Sequence, residues 1–349
     1  MSSDAAHPAR PLPPARHTAH GPTSSETALR EGDPGPVRDL AASVIAAVEG
    51  VVVGKHQAVT TAVLTLLAGG HLLVEDVPGT GKTTLAQALA RAIGAHARRI
   101  QFTSDMLPTD VTGVSVFDQT TREFRFHPGP VFTHVVIGDE VNRATPKTQS
   151  ALLEAMGEGH VSVDGTTMDL PDPFIVLATQ NPLDMEGTFP LPEAQRDRFM
   201  TRLSLGYPDA SAEVAMLRAR GGRNPLDEMR PATDVAHVIA ARARVAAIHL
   251  SDEVAAYLVA LSEGTRTHPD VELGASPRAT LHLAAMARAR AAVAGRSFVS
   301  PDDIAALAGV VLPHRLVVRG SHASASDSLA SAQIVVSDLV QRLPVPGLG

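Results

Sequence analysis

Between residues 39 and 207, short apolar runs alternate with stretches whose apolar positions recur every three or four residues, as a parallel sheet covered by helices requires. The runs are Leu72-Leu73-Val74, Arg99-Ile100-Gln101-Phe102, Val135-Val136-Ile137, Phe174-Ile175-Val176-Leu177 and Arg202-Leu203-Ser204-Leu205. Five parallel strands are predicted, in an α/β core spanning residues 37–207. Beyond Pro208 the pattern turns Ala-, Arg- and Leu-rich with helical spacing over 235–247, 252–263, 278–294 and 301–308. A smaller all-helical domain over 208–320 is expected, its helix starts marked by Ser251, Ser276 and Ser300 as N-caps. A tail over 321–349 carries a short amphipathic stretch at 334–343.

Residues 113–132 alternate Val114 and Val116, then Phe124 and Phe126, around Asp118-Gln119-Thr120-Thr121, which predicts a β-hairpin. Val161-Ser162-Val163-Asp164-Gly165-Thr166 predicts a second. The first 36 residues hold seven prolines and no apolar periodicity, so a disordered leader is expected there. Nothing approaches a run of 18 apolar residues, and a cytoplasmic protein without membrane insertion is expected.

Composition narrows the chemistry. The 349 residues include no cysteine, which excludes disulfides, zinc-thiolate sites and a cysteine nucleophile. The net charge of -7 and the 3% aromatic content give no general reason to bind nucleic acid by charge or base stacking. Five of the nine phenylalanines fall between residues 102 and 132, in or beside the first predicted hairpin.

The most informative stretch is Leu72-Leu73-Val74-Glu75-Asp76-Val77-Pro78-Gly79-Thr80-Gly81-Lys82-Thr83-Thr84-Leu85. A buried strand enters a glycine-bearing loop, and a helix leaves it with Leu85, Leu89 and Ile93 on one face. Pro78, Gly79, Thr80, Gly81, Lys82, Thr83 and Thr84 form a phosphate-binding segment. In such a loop backbone amides and a helix N-terminus converge on phosphate oxygens, the lysine reaches the β- and γ-phosphates, and the hydroxyl of Thr83 ligates magnesium. Asp76 stands where the usual pattern has its first glycine.

The third strand ends in Asp139-Glu140. Asp139 is placed to hold magnesium, and Glu140 to orient and deprotonate an attacking water. Ala178-Thr179-Gln180-Asn181-Pro182 closes the next strand, where Asn181 is the candidate to bond the water or the γ-phosphate. In Leu191-Pro192-Glu193-Ala194-Gln195-Arg196-Asp197-Arg198-Phe199, Arg198 is the guanidinium best placed to reach a neighbouring subunit's γ-phosphate. Arg278 opens a helix of the second domain, from which it could reach the γ-phosphate and make closure depend on nucleotide.

With these elements in this order, the chain resembles the AAA+ ATPases and, within them, the MoxR family. The closer match rests on Asp139-Glu140-Val141-Asn142-Arg143-Ala144-Thr145-Pro146-Lys147-Thr148-Gln149-Ser150-Ala151-Leu152-Leu153-Glu154-Ala155-Met156, on residues 178–182 and on residues 191–199. The resemblance covers about residues 38–320. It implies that Lys82 and Thr83 are the Walker A pair, Asp139 and Glu140 Walker B, Asn181 sensor 1, Arg198 an arginine finger and Arg278 sensor 2. It further implies that Val51-Val52-Val53-Gly54 packs against adenine, with Val53 and Gly54 at the base, and that the helical domain is a lid. Both hairpins are then inserts facing a pore or a partner.

By the same resemblance the cofactors are ATP and Mg2+, and the assembly is a homo-oligomer, a hexameric ring. The role implied is a chaperone-like remodeller or activator of a protein client, with a von Willebrand A-domain protein as the candidate. Three other readings stay open on the residues alone: a magnesium-chelatase-like motor, a nucleic-acid-remodelling motor, and a nucleotide-gated scaffold with little turnover.

Overall fold

A computed structural model of the chain describes residues 33–77, 79–180, 188–208, 210, 213–214, 224–320 and 325–347. Pro78, Asn181 and the first 32 residues of the leader lie outside the described residues. Two helices, α1 (Gly35–Glu49) and α2 (His56–Leu67), lead into β1 (Leu72–Glu75). The phosphate loop follows, then α3 (Lys82–Ala92) and β2 (Ala97–Gln101). A short α4 (Pro108–Thr112) runs into the hairpin of β3 (Gly113–Asp118) and β4 (Glu123–Pro128). Next come β5 (Val135–Asp139) and α5 (Pro146–Glu158), then the second hairpin of β6 (His160–Val163) and β7 (Thr166–Asp169). The core closes with β8 (Ile175–Gln180), a single turn α6 (Glu193–Arg196) and β9 (Thr201–Leu203).

The five expected strands form one parallel sheet in the order β2-β5-β8-β1-β9. Insertion of β8 between β1 and β5 brings the ends of these three strands together, which is where ligands bind in such sheets. The alternation of side chains decides what each face buries. Leu72, Val74, Val135, Ile137, Ile175 and Leu177 face α1, α2, α3 and the helices that follow β9, whereas Leu73, Val136, Val176 and Ala178 pack with Phe102, Leu152 and Phe199 on the other side.

After β9 the chain is helical, with a short turn α7 (Pro225–Glu228), then α8 (Val235–Ala246), α9 (Asp252–Thr267), α10 (Pro277–Val293), α11 (Pro301–Val311) and α12 (Ala325–Arg342). Ser251 and Ser276 accept the amides of Val254 and Ala279, and Ser300 forms a reciprocal cap with Asp303, so all three serines act as N-caps. A two-stranded ribbon of β10 (Val271–Leu273) and β11 (Val317–Val318) joins this helical lid, a feature too short for its alternation to show in the sequence. Leu283, Met286 and Ala287 of α10 share one continuous apolar core with the first face of the sheet. Among the described residues no helix is long and apolar enough to cross a membrane.

Candidate active site

The phosphate loop is shaped by two glycines in the left-handed region, Gly79 at φ +85° and Gly81 at φ +93°. A Cβ built at either meets no atom within 4 Å, so the backbone faces open space at the N-terminus of α3. At the head of that helix Lys82 Nζ donates to the carbonyl of Asp76 at 2.5 Å and lies 3.5 Å from that of Gln180. Partial burial lowers the Lys82 ammonium from its ordinary range, against the opposing pull of Asp76, Asp139 and Glu140. Thr80 Oγ1 donates to the Val77 carbonyl at 3.3 Å and closes the turn. Thr84 occupies the first turn of α3, half-buried.

Thr83 Oγ1 lies 3.3 Å from both carboxylate oxygens of Asp139, which is buried at the end of β5. These are one hydroxyl and one carboxylate, a pair that fits a cation completing its shell from phosphate and water. Arg99 on β2 donates from Nε to Asp139 Oδ2 at 2.5 Å. Glu140 follows in the left-handed conformation, φ 57° and ψ 49°, a costly place for a residue with a Cβ. Its carboxylate accepts from Arg143 Nη1 at 2.9 Å and from Gln101 Nε2 at 3.3 Å.

Thr179 on β8 has a role that its sequence motif does not announce. Buried, its hydroxyl accepts the Glu140 amide at 3.0 Å and donates to Asp139 Oδ1 at 3.3 Å, bridging both acidic residues. A threonine one residue from the end of a strand beside an Asp-Glu pair is the signal that could have found it. Asp76 likewise has partners that the motif does not announce. Its Oδ2 accepts the amides of Leu205 at 2.7 Å and Gly206 at 2.6 Å and the hydroxyl of Ser204 at 3.2 Å, while Oδ1 takes Val77 N–H at 2.9 Å. What looked like a departure from the glycine pattern ties the loop's first turn to the chain leaving β9.

Val53 is exposed and Gly54 has φ +73°, in the turn joining α1 to α2. The next residue, Lys55, donates from Nζ to the carbonyl of Tyr207 at 2.8 Å, so this turn meets the end of the α/β core. The run after Glu140 is held by Gln149, buried on α5, whose Nε2 donates to the carbonyls of Val141, Ala144 and Phe189.

The two remaining arginines are held by other partners. Arg198 is half-buried, and its Nη1 donates to the Leu153 carbonyl of α5 at 2.6 Å. Arg278, at the start of α10, lies 3.5 Å from Oδ2 of Asp197, the neighbour of Arg198. The structure therefore brings Lys82, Thr83, Asp139 and Glu140 into one group and ties Arg278 to the residue that precedes Arg198.

A phosphate loop feeding a β2-β5-β8-β1-β9 sheet, with an acidic pair at the adjoining strand end and a helical lid, defines an AAA-class ATPase. Residues 71–201 match the ATPase family associated with various cellular activities (AAA), and residues 263–338 match the AAA lid domain. The chain is 37% identical to Chaperone MoxR1 of Mycobacterium tuberculosis over 92% of its own length and 88% of that protein's. It is 46% identical to the uncharacterized YeaC of Bacillus subtilis, over 85% and 92% of the two lengths. A crystal structure from Cytophaga hutchinsonii carrying an ATPase description superposes with a TM-score of 0.79 at 33% identity, covering 88% of this chain and 96% of that one. The chain belongs to the MoxR family of AAA+ ATPases.

Proposed function

We propose that this protein hydrolyses ATP at sites shared between neighbouring copies in a ring, a hexamer by the family resemblance, and uses the cycle to remodel or activate a protein partner. The observation that carries the hydrolytic half is the convergence of Thr83 on both oxygens of Asp139 beside the glycine-lined loop. Loop amides and Lys82 would bind the phosphates, with Pro78, Gly79, Thr80, Gly81 and Thr84 framing them and Val53 and Gly54 flanking the base. Thr83 and Asp139 would hold Mg2+, which when bound offsets phosphate charge. Glu140 takes the proton of the attacking water, and Thr179 fixes its backbone while leaving the carboxylate to Gln101 and Arg143. Asn181 is assigned to the same water.

The contact of Arg278 with Asp197, the residue before Arg198, supports assigning both arginines to the γ-phosphate of the adjacent copy. In this arrangement the lid of one copy and the phosphate loop of the next form a single site, so lid motion and hydrolysis are coupled across the interface.

The remodelling half is supported by the chaperone name of the Mycobacterium tuberculosis relative and by the hairpins. Val114, Val116, Phe117 and Phe124 are exposed on β3–β4, an apolar surface with a use only if a partner covers it. The client class we assign is a von Willebrand A-domain protein, in the cytoplasm. Capture from cell extract with Glu140→Gln in ATP tests this: retention of such a protein beyond what Lys82→Ala retains is the expected result. Equal retention by the two variants defeats the remodelling reading, and stimulation of hydrolysis by DNA at physiological salt would replace it with a nucleic-acid motor.

A further inference from the structure

The segment between α6 and β9, residues 197–200, is anchored to the core by Phe199, by the Met200 amide on the His71 carbonyl and by Arg198 on α5, and its leading residue, Asp197, is bound from the lid. Asp197 Oδ1 accepts the Ser276 hydroxyl at 2.8 Å and lies 3.4 Å from Arg315 Nε, while Oδ2 faces Arg278 Nη1 at 3.5 Å. Arg315 Nη2 also donates to the Phe199 carbonyl at 2.5 Å, and His314 Nε2 meets the same oxygen at 3.1 Å. The Asp197 side chain is 15% exposed and that of Arg315 1%. Burial drops the Arg315 guanidinium to about 10, with Asp197 its opposing counter-charge and Arg278 adding to the fall. A buried guanidinium with one carboxylate partner makes that carboxylate hard to replace.

Ser276 contributes a second function with the same atom. Its Oγ accepts the Ala279 amide at 3.1 Å as the N-cap of α10 and donates its proton to Asp197. The first turn of α10 is therefore wired to the residue immediately before Arg198. Arg198 itself rests on α5, where Gly157 makes room: a Cβ there would lie 2.3 Å from Arg198 Nη1.

We infer that Asp197 is a positioning residue for both arginines: through Ser276, Arg278 and Arg315 it makes the placement of Arg198 follow the pose of the lid. The inference rests on the reading that Arg198 serves the neighbouring copy. Asp197 touches no reacting atom. It converts a movement at the start of α10 into a movement of the chain carrying Arg198, and it holds Arg278 beside that chain. Loss of its charge leaves the phosphate loop of the same copy intact and impairs what that copy offers to the next.

The test uses the full chain, in rings of one variant and in mixtures. Asp197→Asn alone is expected to lower kcat about tenfold or more while KM for ATP stays within about twofold, because the loop that binds nucleotide is unaltered. Glu140→Gln has an inactive hydrolytic centre and intact arginines. Mixed one to one with Asp197→Asn, it restores sites in which an Asp197→Asn loop meets Glu140→Gln arginines, and activity rises to about a quarter of wild type. Ser276→Ala, which keeps the buried carboxylate and its arginines, is expected to show a smaller kcat loss and the same rescue; it takes the place of Asp197→Asn should that variant melt early. Arg198→Ala mixed with Glu140→Gln is the reference. If the reference mixture recovers and the Asp197→Asn and Ser276→Ala mixtures do not, or if Asp197→Asn alone is fully active, the positioning role is wrong and the shared site stands. If the reference mixture also fails to recover, the shared site is wrong and the inference falls with it.

Discussion

Oδ2 of Asp76 accepts the backbone amide of Gly206 at 2.6 Å, joining the first turn of the phosphate loop to the chain that leaves β9. Restoring the glycine of the common motif should therefore harm this protein. Asp76→Gly strands the amides of Leu205 and Gly206 in a buried setting, a loss of about 2–4 kcal/mol. A fall in the urea midpoint with weaker ATP binding is expected; an unchanged midpoint would show that water replaces the carboxylate at no cost.

Glu140, to which we assign the attacking water, sits on an unfavourable backbone. Glu140→Gly removes the Cβ from a left-handed position and should stabilise the fold by about 1 kcal/mol. Hydrolysis should drop about a hundredfold or more with nucleotide binding retained. A variant that melts lower than wild type would mean that the Arg143 and Gln101 contacts outweigh the backbone penalty.

Gly157→Ala places a methyl where the Arg198 guanidinium now rests on α5. Alanine favours the helix by about 1 kcal/mol, and the displaced group is the end of a flexible side chain, so thermal stability should hold or rise. The expected loss is in turnover, severalfold, at unchanged KM for ATP. Steady-state kinetics beside a melting curve separates the two effects.

His71 sets a limit on the acid side. Its Nδ1 accepts the Val176 amide at 3.0 Å, so Nε2 carries the proton and donates to the Met156 carbonyl at 3.0 Å. Burial, with a smaller push from Arg242, lowers its pKa from 6.5 to about 4 against the opposing Met156 bond. Above pH 6.5 both the folded and unfolded forms are neutral there and stability is level. Between pH 6.5 and about 4 only the unfolded chain takes the proton, and stability falls by about 1.4 kcal/mol per pH unit from this residue alone. Denaturant midpoints at pH 8, 6 and 5 check the slope; a flat profile would count against a neutral buried imidazole.

The strands and long helices were legible because each is fixed by its own neighbours in sequence. Short apolar runs such as Leu72-Leu73-Val74 marked the strands, and Ser251, Ser276 and Ser300 marked the starts of three lid helices. The first tier of the site was legible for the same reason, since glycines, lysine and threonine lie within one loop. The roles of Asp76, Thr179 and Asp197 were not, because each is defined by partners more than 35 positions away: Leu205, Asp139 and Ser276. Arg278 shows the limit most sharply. A helix-start arginine declares its charge in the sequence, but only the fold decides which carboxylate it meets.

The two hairpins touch the body of the protein through different helices, β3–β4 through α4 and β6–β7 through α5, and neither joins the five-stranded sheet. Phe117 and Phe124 meet edge to face at 5.3 Å on the first of them, with Phe124 74% exposed. Because these ribbons are appended and not woven in, their tips can be exchanged between relatives without altering the strands that carry Asp139 and Thr179. The molecule is thus a graftable chassis, in which new partner preferences can evolve or be engineered at the hairpins while the hydrolytic machinery is inherited unchanged.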